Sequence, residues 1–297
     1  MNYEIVIGLE IHAVLSTKTK LFCSCSTEFG KEPNTHCCPV CTGMPGALPV
    51  LNRKAVELAV KAGLAANCSI AAYSWLERKH YFYPDLPKAY QISQYKLPIC
   101  SNGHLIIEPG GKTRKVGIIR IQLEEDAGKL IHKENGDFTL IDYNRCGIPL
   151  IEIVTGPDLR SSEEVKAFFE KMKLLLQYTG VSDCKMQEGH LRADINLSVR
   201  PLGQEEPGVK TEIKNLNSLS SIVKAVESEA ERQISIIESG GIVEREARQW
   251  NEEKSTSFPM RNKEDVYDYR YSPESDLCPV VVDKKWLEKI KASIPEL

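Results

Sequence analysis

Four acidic residues stand inside runs that otherwise have the composition of β-strands. They are Glu10, Glu125, Glu152 and Asp194, each close to Ile, Leu or Val. Burying a lone carboxylate costs several kcal/mol, so such groups are normally paired or bound to a metal. Few basic residues are interleaved with them, which favours a shared cation. Oxygen-rich sites suit Mg²⁺, which usually binds together with phosphate, so the pattern predicts phosphoryl chemistry.

The length and composition are those of an ordinary globular protein. The 297 residues, 42% hydrophobic and 27% charged, predict two domains or one large one. The net charge of -3 and the pI near 6.1 argue against broad electrostatic binding to nucleic acid, but they leave room for a local basic groove. We find no signal peptide and no apolar run of roughly 18 residues. We therefore expect a cytoplasmic protein without a membrane partner.

Hydrophobic periodicity predicts an α+β fold. Residues 3–15 alternate between apolar and polar side chains, as a half-buried strand does. The other predicted strands lie at 104–125 (a hairpin), 138–154, 190–200, 208–215 and 278–282. The predicted helices begin near Asn52, Ser161, Ser218 and Asp283. Because the strands come mostly in neighbouring pairs, we expect a mainly antiparallel sheet with packed helices, in a single domain over 1–297.

The ten cysteines of a protein expected in the cytosol indicate metal ligands and buried thiols rather than disulfides. Two pairs stand close together, Cys23 with Cys25 and Cys38 with Cys41. Four thiolates from two tight turns can surround one Zn²⁺ tetrahedrally, and a site with four protein ligands is structural rather than catalytic. We therefore expect a zinc-stapled insertion at about 22–45.

Two alternatives stay open at this cluster. His36 and Cys37 are spare ligands beside the second pair, although the two-residue spacing favours Cys38 over Cys37. The four thiols could also be buried without any metal. The remaining cysteines are scattered along the chain and are expected to be small buried residues.

Two adjacent glutamates are predicted to point to opposite faces of their strand. Glu125 is in register with the apolar residues Ile121 and Leu123, where a solvated carboxylate would be out of place. Glu124 shares the face of Gln122, so an ordinary surface carboxylate is a reasonable interpretation there. We therefore predict that Glu125 rather than Glu124 joins the cation site.

Two further segments place polar groups on strands. Glu10 and His12 are two positions apart and so point the same way, which makes a workable metal or acid/base pair. Glu152 stands in a continuous apolar run that is typical of a strand covered on both faces.

The strands at 191–199 and 209–214 have alternating charged faces. The charged residues of these faces are Arg192, Asp194, Lys210, Glu212 and Lys214. Any amphipathic strand has one face exposed to water. For each strand taken alone, a solvent-exposed face therefore explains the charged residues as well as a binding site does. Taken together, the strands would form one polar sheet surface, with acids for a metal and cations for phosphate.

Two other signals are weaker. Segments 78–91 and 268–274 interleave basic and aromatic residues, a pattern that can grip phosphates and stack on bases but is more often core. Residues 110–113 resemble the end of a P-loop, but position 106 is Ile and the segment is a hairpin turn. If ATP binds, we expect it on the sheet surface.

Long motifs cover essentially the whole chain. They lie at 7–12, 22–25, 33–35, 38–41, 45–50, 78–85, 124–129, 180–183, 191–196, 212–218 and 268–271. In these motifs the chain closely resembles the B subunits of the glutamyl/aspartyl-tRNA amidotransferases (GatB). The resemblance implies a glutamine-synthetase-like catalytic domain that uses ATP to phosphorylate the side-chain carboxylate of Glu mischarged on tRNA(Gln), or Asp on tRNA(Asn). Ammonia then displaces phosphate.

The resemblance implies roles for residues already singled out. The candidate Mg²⁺ ligands are Glu10, His12, Glu125, Glu152 and Asp194, and Glu212 is a further catalytic acid. The candidate ATP-binding cations are Lys79, Arg192, Lys210 and Lys214. Metal would neutralise charge on the transferring phosphoryl group and align the attacking oxygen.

The resemblance also implies partners in a heterotrimer. An A subunit, which is an amidase, delivers ammonia through an internal channel, a small C subunit ties the two together, and mischarged tRNA is the substrate. Family members continue into a helical C-terminal tail that helps to bind tRNA, so we expect this chain to be the catalytic portion. Two other functions compete with this interpretation: a zinc-stapled RNA-binding scaffold without chemistry, and a metal-dependent phosphohydrolase.

Overall fold

The computed structural model describes residues 2–132, 138–260 and 268–296, and its central feature is a nine-stranded sheet. The described strands are β1 (Tyr3–Val14), β2 (Ser69–Ile70), β3 (Tyr73–Ser74), β4 (Glu77–His80), β5 (Tyr90–Ser93), β6 (Cys100–Ile107), β7 (Arg114–Glu125), β8 (Lys129–His132), β9 (Thr139–Asp142), β10 (Pro149–Thr155), β11 (Leu191–Pro201), β12 (Thr211–Leu216), β13 (Ala247–Asn251), β14 (Thr256–Pro259), β15 (Ser272–Pro273) and β16 (Val280–Val281). The described α-helices are α1 (Arg53–Ala65), α2 (Ser162–Tyr178), α3 (Leu219–Glu238) and α4 (Lys284–Lys291).

The large sheet has the order β14-β13-β12-β11-β1-β10-β7-β6-β2. All neighbouring strands are antiparallel except β12 and β13, which are parallel. The predicted α+β class with a mainly antiparallel sheet is therefore confirmed, while the likeness to glutamine synthetase stays a prediction. Strand β1 lies in the middle of the sheet, so its two neighbours, β11 and β10, bring their side chains beside its own.

The four described α-helices begin at the capping residues that the sequence predicted. The cap residues of α1 to α4 are Asn52, Ser161, Ser218 and Asp283, and each accepts a hydrogen bond from a backbone N–H of the first turn. Apolar side chains of α1, α2 and α3, such as Val56, Phe168 and Ile222, join Ile7 and Leu9 of β1 in one buried core. The apolar face of the sheet is thus covered by helices.

Smaller sheets complete the fold. The three-stranded sheet β15-β4-β5 borders the other, polar face of the large sheet. Strands were predicted within 138–154, and both β9 and β10 are found there, but β9 pairs with β8 instead of with β10. In the described part of the chain, no helix combines the length and the apolar character that crossing a membrane requires.

Candidate functional site

A cleft of about 490 Å³ lies over the polar face of the large sheet. Because side chains alternate along a strand, Leu9 and Ile11 of β1 are buried in the core while Glu10 and His12 face the cleft. Strands β4 and β5 and residues 269–271 supply the cleft wall. The lining residues are Glu10, His12, Lys79, Tyr81, Gln91, Ser93, Tyr95, Arg120, Gln122, Glu124, Asp126, Ala127, Glu152, Arg192, Asp194, Glu212, Lys214, Tyr269 and Tyr271.

Strand register brings acids from separate segments into adjacent rows. Glu10 lies opposite Asp194 on β11, and His12 lies opposite Glu152 on β10. Glu152 in turn lies opposite Gln122 on β7. Residues that are more than a hundred positions apart in the sequence therefore share one surface, as the sequence predicted for Glu10, Glu152 and Asp194.

His12, Glu124 and Glu152 form the tightest group in the cleft. Nε2 of His12 lies 3.3 Å from Oε1 of Glu124 and 3.9 Å from Oε2 of Glu152. The hydroxyl of Ser93 donates to Glu124, and the side-chain amide of Gln122 donates to Glu152. One ligand atom from each of the three residues lies within 4.8 Å of the others. Nitrogen and carboxylate oxygens at this spacing suit a single divalent cation.

Burial and mutual charge shift the pKa values in this group. Burial lowers the pKa of His12, but the hydrogen bond and charge of Glu124 outweigh it and raise the pKa to about 9. Burial, followed by the charge of Glu124, raises the pKa of Glu152 to about 7. Burial opposes ionisation of Glu124 as well, yet the hydrogen bond with His12 holds its pKa below the usual range. Without a metal the group binds a proton, which a cation would displace.

Glu10, Asp194 and Glu212 form a second acidic group beside the first. Nζ of Lys214 lies 3.0 Å from Oε1 of Glu212 and 3.9 Å from Oδ2 of Asp194. The amide of Asn196 donates to Glu10 over 2.9 Å. Burial raises the pKa of Asp194 even though Lys214 lowers it. Lys214 forms ion pairs with two of these three carboxylates, so the group keeps negative charge that would attract a cation.

Basic side chains line the same cleft. They are Lys79, Arg120, Arg192 and Lys214. Arg192 donates to Oδ1 of Asp126 over 3.0 Å, and Nζ of Lys79 lies 4.6 Å from the centre of the Tyr269 ring. Lys210, by contrast, is exposed ahead of β12 and is not among the lining residues. The structure therefore leaves three of the four predicted phosphate-binding cations in the cleft.

The two adjacent glutamates of β7 lie on the faces that the sequence predicted, but the roles predicted for them are reversed. Glu124 faces the cleft and is only 5% exposed. Glu125 points away from the cleft, pairs with Lys88 and accepts a hydrogen bond from the backbone N–H of Ile92. The prediction that Glu125 joins the cation group was wrong, because a carboxylate buried on the core side of a strand can be paired with a basic side chain instead of a metal. The core-side carboxylate is neutralised by a lysine.

Asp126 is a cleft residue that the sequence did not single out. Its Oδ1 accepts the hydrogen bond from Arg192, and its Oδ2 lies 3.6 Å from Nε of Arg145. The acidic run at 124–126 was the available signal, but its arginine partners come from distant segments. Asp126 positions Arg192 at the edge of the acidic groups.

The four predicted zinc ligands come together in the Cys-rich segment. The Sγ atoms of Cys23, Cys25, Cys38 and Cys41 all lie within 4.8 Å of one another. Zn–S bonds of about 2.3 Å require sulfur–sulfur distances of about 3.8 Å in a tetrahedron, so the cluster fits zinc after a small contraction. A hydrogen bond from Cys23 lowers the pKa of Cys41 to about 4, which favours the thiolate. The thiol of Cys37, a spare ligand by sequence, faces Asn144 instead.

Comparison with known proteins finds relatives that are similar to this chain along almost its full length. Residues 5–288 match the family model described as the GatB/GatE catalytic domain. The chain belongs to this family. Three relatives are named as the B subunit of an aspartyl/glutamyl-tRNA(Asn/Gln) amidotransferase. They come from Caldicellulosiruptor saccharolyticus (65% identical), Thermoanaerobacter pseudethanolicus (60%) and Carboxydothermus hydrogenoformans (57%).

The alignments cover all of this chain but only part of each relative. Each of the three alignments covers 100% of this chain and 62% of the relative. This GatB/GatE catalytic domain therefore spans less than two thirds of the relatives' length. The cleft and the cysteine cluster both fall inside the matched residues 5–288.

Proposed function

We propose that this chain carries out the ATP-dependent amidation of Glu mischarged on tRNA(Gln), of Asp mischarged on tRNA(Asn), or of both. The observation that supports this most is the convergence of His12, Glu124 and Glu152 in a cleft with a second acidic group and flanking cations. Family membership supports it as well, because the relatives are named as subunits of a tRNA amidotransferase. The enzyme class is a carbon–nitrogen ligase.

The reaction has two chemical steps. An oxygen of the side-chain carboxylate attacks the γ-phosphorus of ATP, ADP leaves, and an acyl phosphate forms. Ammonia then attacks the acyl carbon, phosphate leaves, and loss of a proton gives the amide. Positioning and charge neutralisation account for most catalysis of phosphoryl transfer, so a sheet surface with acids and cations can serve without a P-loop.

Each group in the cleft has a role in this scheme. His12, Glu124 and Glu152 would hold one Mg²⁺, and Glu10, Asp194 and Glu212 would add carboxylate oxygens beside it. Bound Mg²⁺ neutralises charge on the phosphoryl group and orients it for in-line attack. Lys79, Arg192 and Lys214 bind the phosphates of ATP. Ser93 and Gln122 hold Glu124 and Glu152 in place through hydrogen bonds.

The reaction also requires components outside this chain. An A subunit with amidase activity supplies ammonia, a small C subunit joins the two, and the three work on mischarged tRNA in the cytoplasm. Zn²⁺ at the cysteine cluster is structural, because four thiolates leave no open coordination position.

ATP hydrolysis and amide formation by the assembled heterotrimer, with and without mischarged tRNA, test this function. The variants are Glu124→Gln and Asp194→Asn, and the matched control is Glu253→Gln on an exposed turn. We expect turnover that mischarged tRNA stimulates, that both cleft variants lose, and that the control keeps.

Two other results would point elsewhere. Unchanged amidation in both cleft variants would favour a scaffold protein whose acids are merely solvated. Phosphate release that needs neither tRNA nor an ammonia source would favour a phosphohydrolase.

A further inference from the structure

A lysine side chain lies in the interior beside the cysteine cluster. Lys20 is 0% exposed and is among the largest fully buried side chains of the described residues. Taking an ammonium group out of water costs several kcal/mol unless a negative group compensates it. Within 2–132, 138–260 and 268–296, no carboxylate forms an ion pair with Lys20. Its compensation must come from another kind of group.

The contacts of the Lys20 ammonium identify that group. Nζ lies 3.6 Å from Sγ of Cys41 and 3.2 Å from the carbonyl oxygen of Tyr143. A carbonyl accepts a hydrogen bond but carries no net charge, whereas Cys41 as a thiolate would offset the ammonium directly. Cys41 also accepts the backbone N–H of Cys38 over 3.2 Å. Two donors therefore point at one sulfur, as they would at a metal-bound thiolate.

We propose that Lys20 is a fifth component of the zinc site, where its ammonium donates to the metal-bound sulfur of Cys41 and offsets part of the negative charge of the complex. The proposal rests on the zinc site proposed above. Zn²⁺ with four thiolates is a dianion, and one adjacent ammonium leaves a single net negative charge to be buried. Lys20 is a positioning residue, because it acts on the metal through Cys41.

The same lysine connects the cluster to the strands of the cleft. Tyr143, whose carbonyl it binds, begins the turn that leads into β10. Within that turn, the N–H of Gly147 donates to the backbone oxygen of Asp126, which lines the cleft. Lys20 thus joins the zinc-binding segment to the backbone that presents the acidic groups.

Zinc binding to the full chain tests the proposal without reference to catalysis. Metal analysis gives the zinc content, and competition with a chelator of known affinity gives the dissociation constant for zinc. Lys20→Met keeps a long buried side chain without its charge, and Lys18→Met is the control, since Lys18 is exposed nearby. We expect Lys20→Met to weaken zinc binding about 10- to 100-fold, as for other residues that support a metal ligand, and Lys18→Met to leave it unchanged.

A second variant separates charge from polarity. Lys20→Gln is polar but neutral, so we expect it to lose zinc affinity as well. Wild-type affinity in either Lys20 variant would overturn the role of the ammonium charge. A Lys20→Met chain that unfolds while zinc-stripped wild type stays folded would also contradict it, because the lysine would then not act through the metal. Absence of zinc from the wild-type chain would overturn the zinc site itself.

Discussion

Nε2 of His12 lies 3.3 Å from Oε1 of Glu124, although β10 separates their strands in the sheet. The contact forms because both side chains, like that of Glu152 on β10, point to the same face of the sheet. The hydroxyl of Ser93, on the bordering small sheet, donates to the other oxygen of Glu124 over 3.1 Å. The smaller sheet therefore holds the carboxylate of Glu124, a candidate metal ligand, in place. The predictions below follow from this arrangement.

Replacing Glu124 by Gln removes an anionic ligand while keeping the size of the side chain. We expect Mg²⁺-dependent ATP turnover in the assembled enzyme to fall by about 100-fold or more, because charge stabilisation at the phosphoryl group is lost. Steady-state rates over a range of Mg²⁺ concentrations measure this, with Glu253→Gln as the control. A variant with the wild-type rate and Mg²⁺ response would show that Glu124 binds no catalytic cation.

Glu125→Gln should instead damage the stability of the fold. Glu125 is 2% exposed and its partner Lys88 is 9% exposed, so the substitution leaves a buried ammonium without its counter-ion. Such losses cost about 3–5 kcal/mol, and urea denaturation measures the change in the free energy of unfolding. Glu28→Gln, which breaks the exposed pair with Lys31, is the control and should change the free energy of unfolding much less, because solvent screens the pair. Equal effects in the two variants would contradict this interpretation.

His12 makes the stability of the Mg²⁺-free protein depend on pH. Its pKa is raised from 6.5 to about 9 in the folded state, so its contribution is complete below pH 6.5 and is lost as the pH rises through 9. The free energy of unfolding of wild type minus that of His12→Gln should therefore shrink between these two values. We would measure both by urea denaturation in Mg²⁺-free buffer. A difference that does not change with pH would be inconsistent with a protonated His12.

The cysteine cluster predicts a specific loss of metal. Cys25→Ser removes one of the four sulfur ligands, so zinc content should fall well below that of wild type, and the melting temperature should fall with it. Cys278→Ser is the matched control, because Cys278 is exposed and lies outside the cluster. Metal analysis and thermal melts of the purified chain provide the measurement. Equal zinc in the two variants would exclude the cluster as the site.

Much of the fold was predictable because its signals are local. Alternation over 3–15 predicted β1, and the capping side chains of Asn52 and Ser161 predicted where α1 and α2 begin. These features depend on side-chain direction and on backbone N–H groups within a few residues. The pairing of β9 with β8 was not predicted, because residues 129–132 gave no recognised strand signal.

The positions of the site residues were predictable only where side-chain direction within a single strand determined them. Glu10 and His12 face the cleft as their spacing required. Glu124 and Glu125 were placed on the correct faces but given the wrong roles, because a polar strand face looks solvated until another sheet covers it. Lys210 was placed on a strand that begins only at Thr211. The pairing of Asp126 with Arg192 joins segments whose proximity no local pattern encodes.

Phosphoryl transfer to the aminoacyl group tests the central claim most directly. The assembled enzyme would be mixed with ATP labelled in the γ-phosphate and mischarged tRNA, without an ammonia source, and quenched rapidly. We predict labelled aminoacyl phosphate on tRNA with wild type and none with Glu124→Gln. Equal labelling by wild type and Glu124→Gln would contradict the assignment of the cleft as the site of phosphoryl transfer.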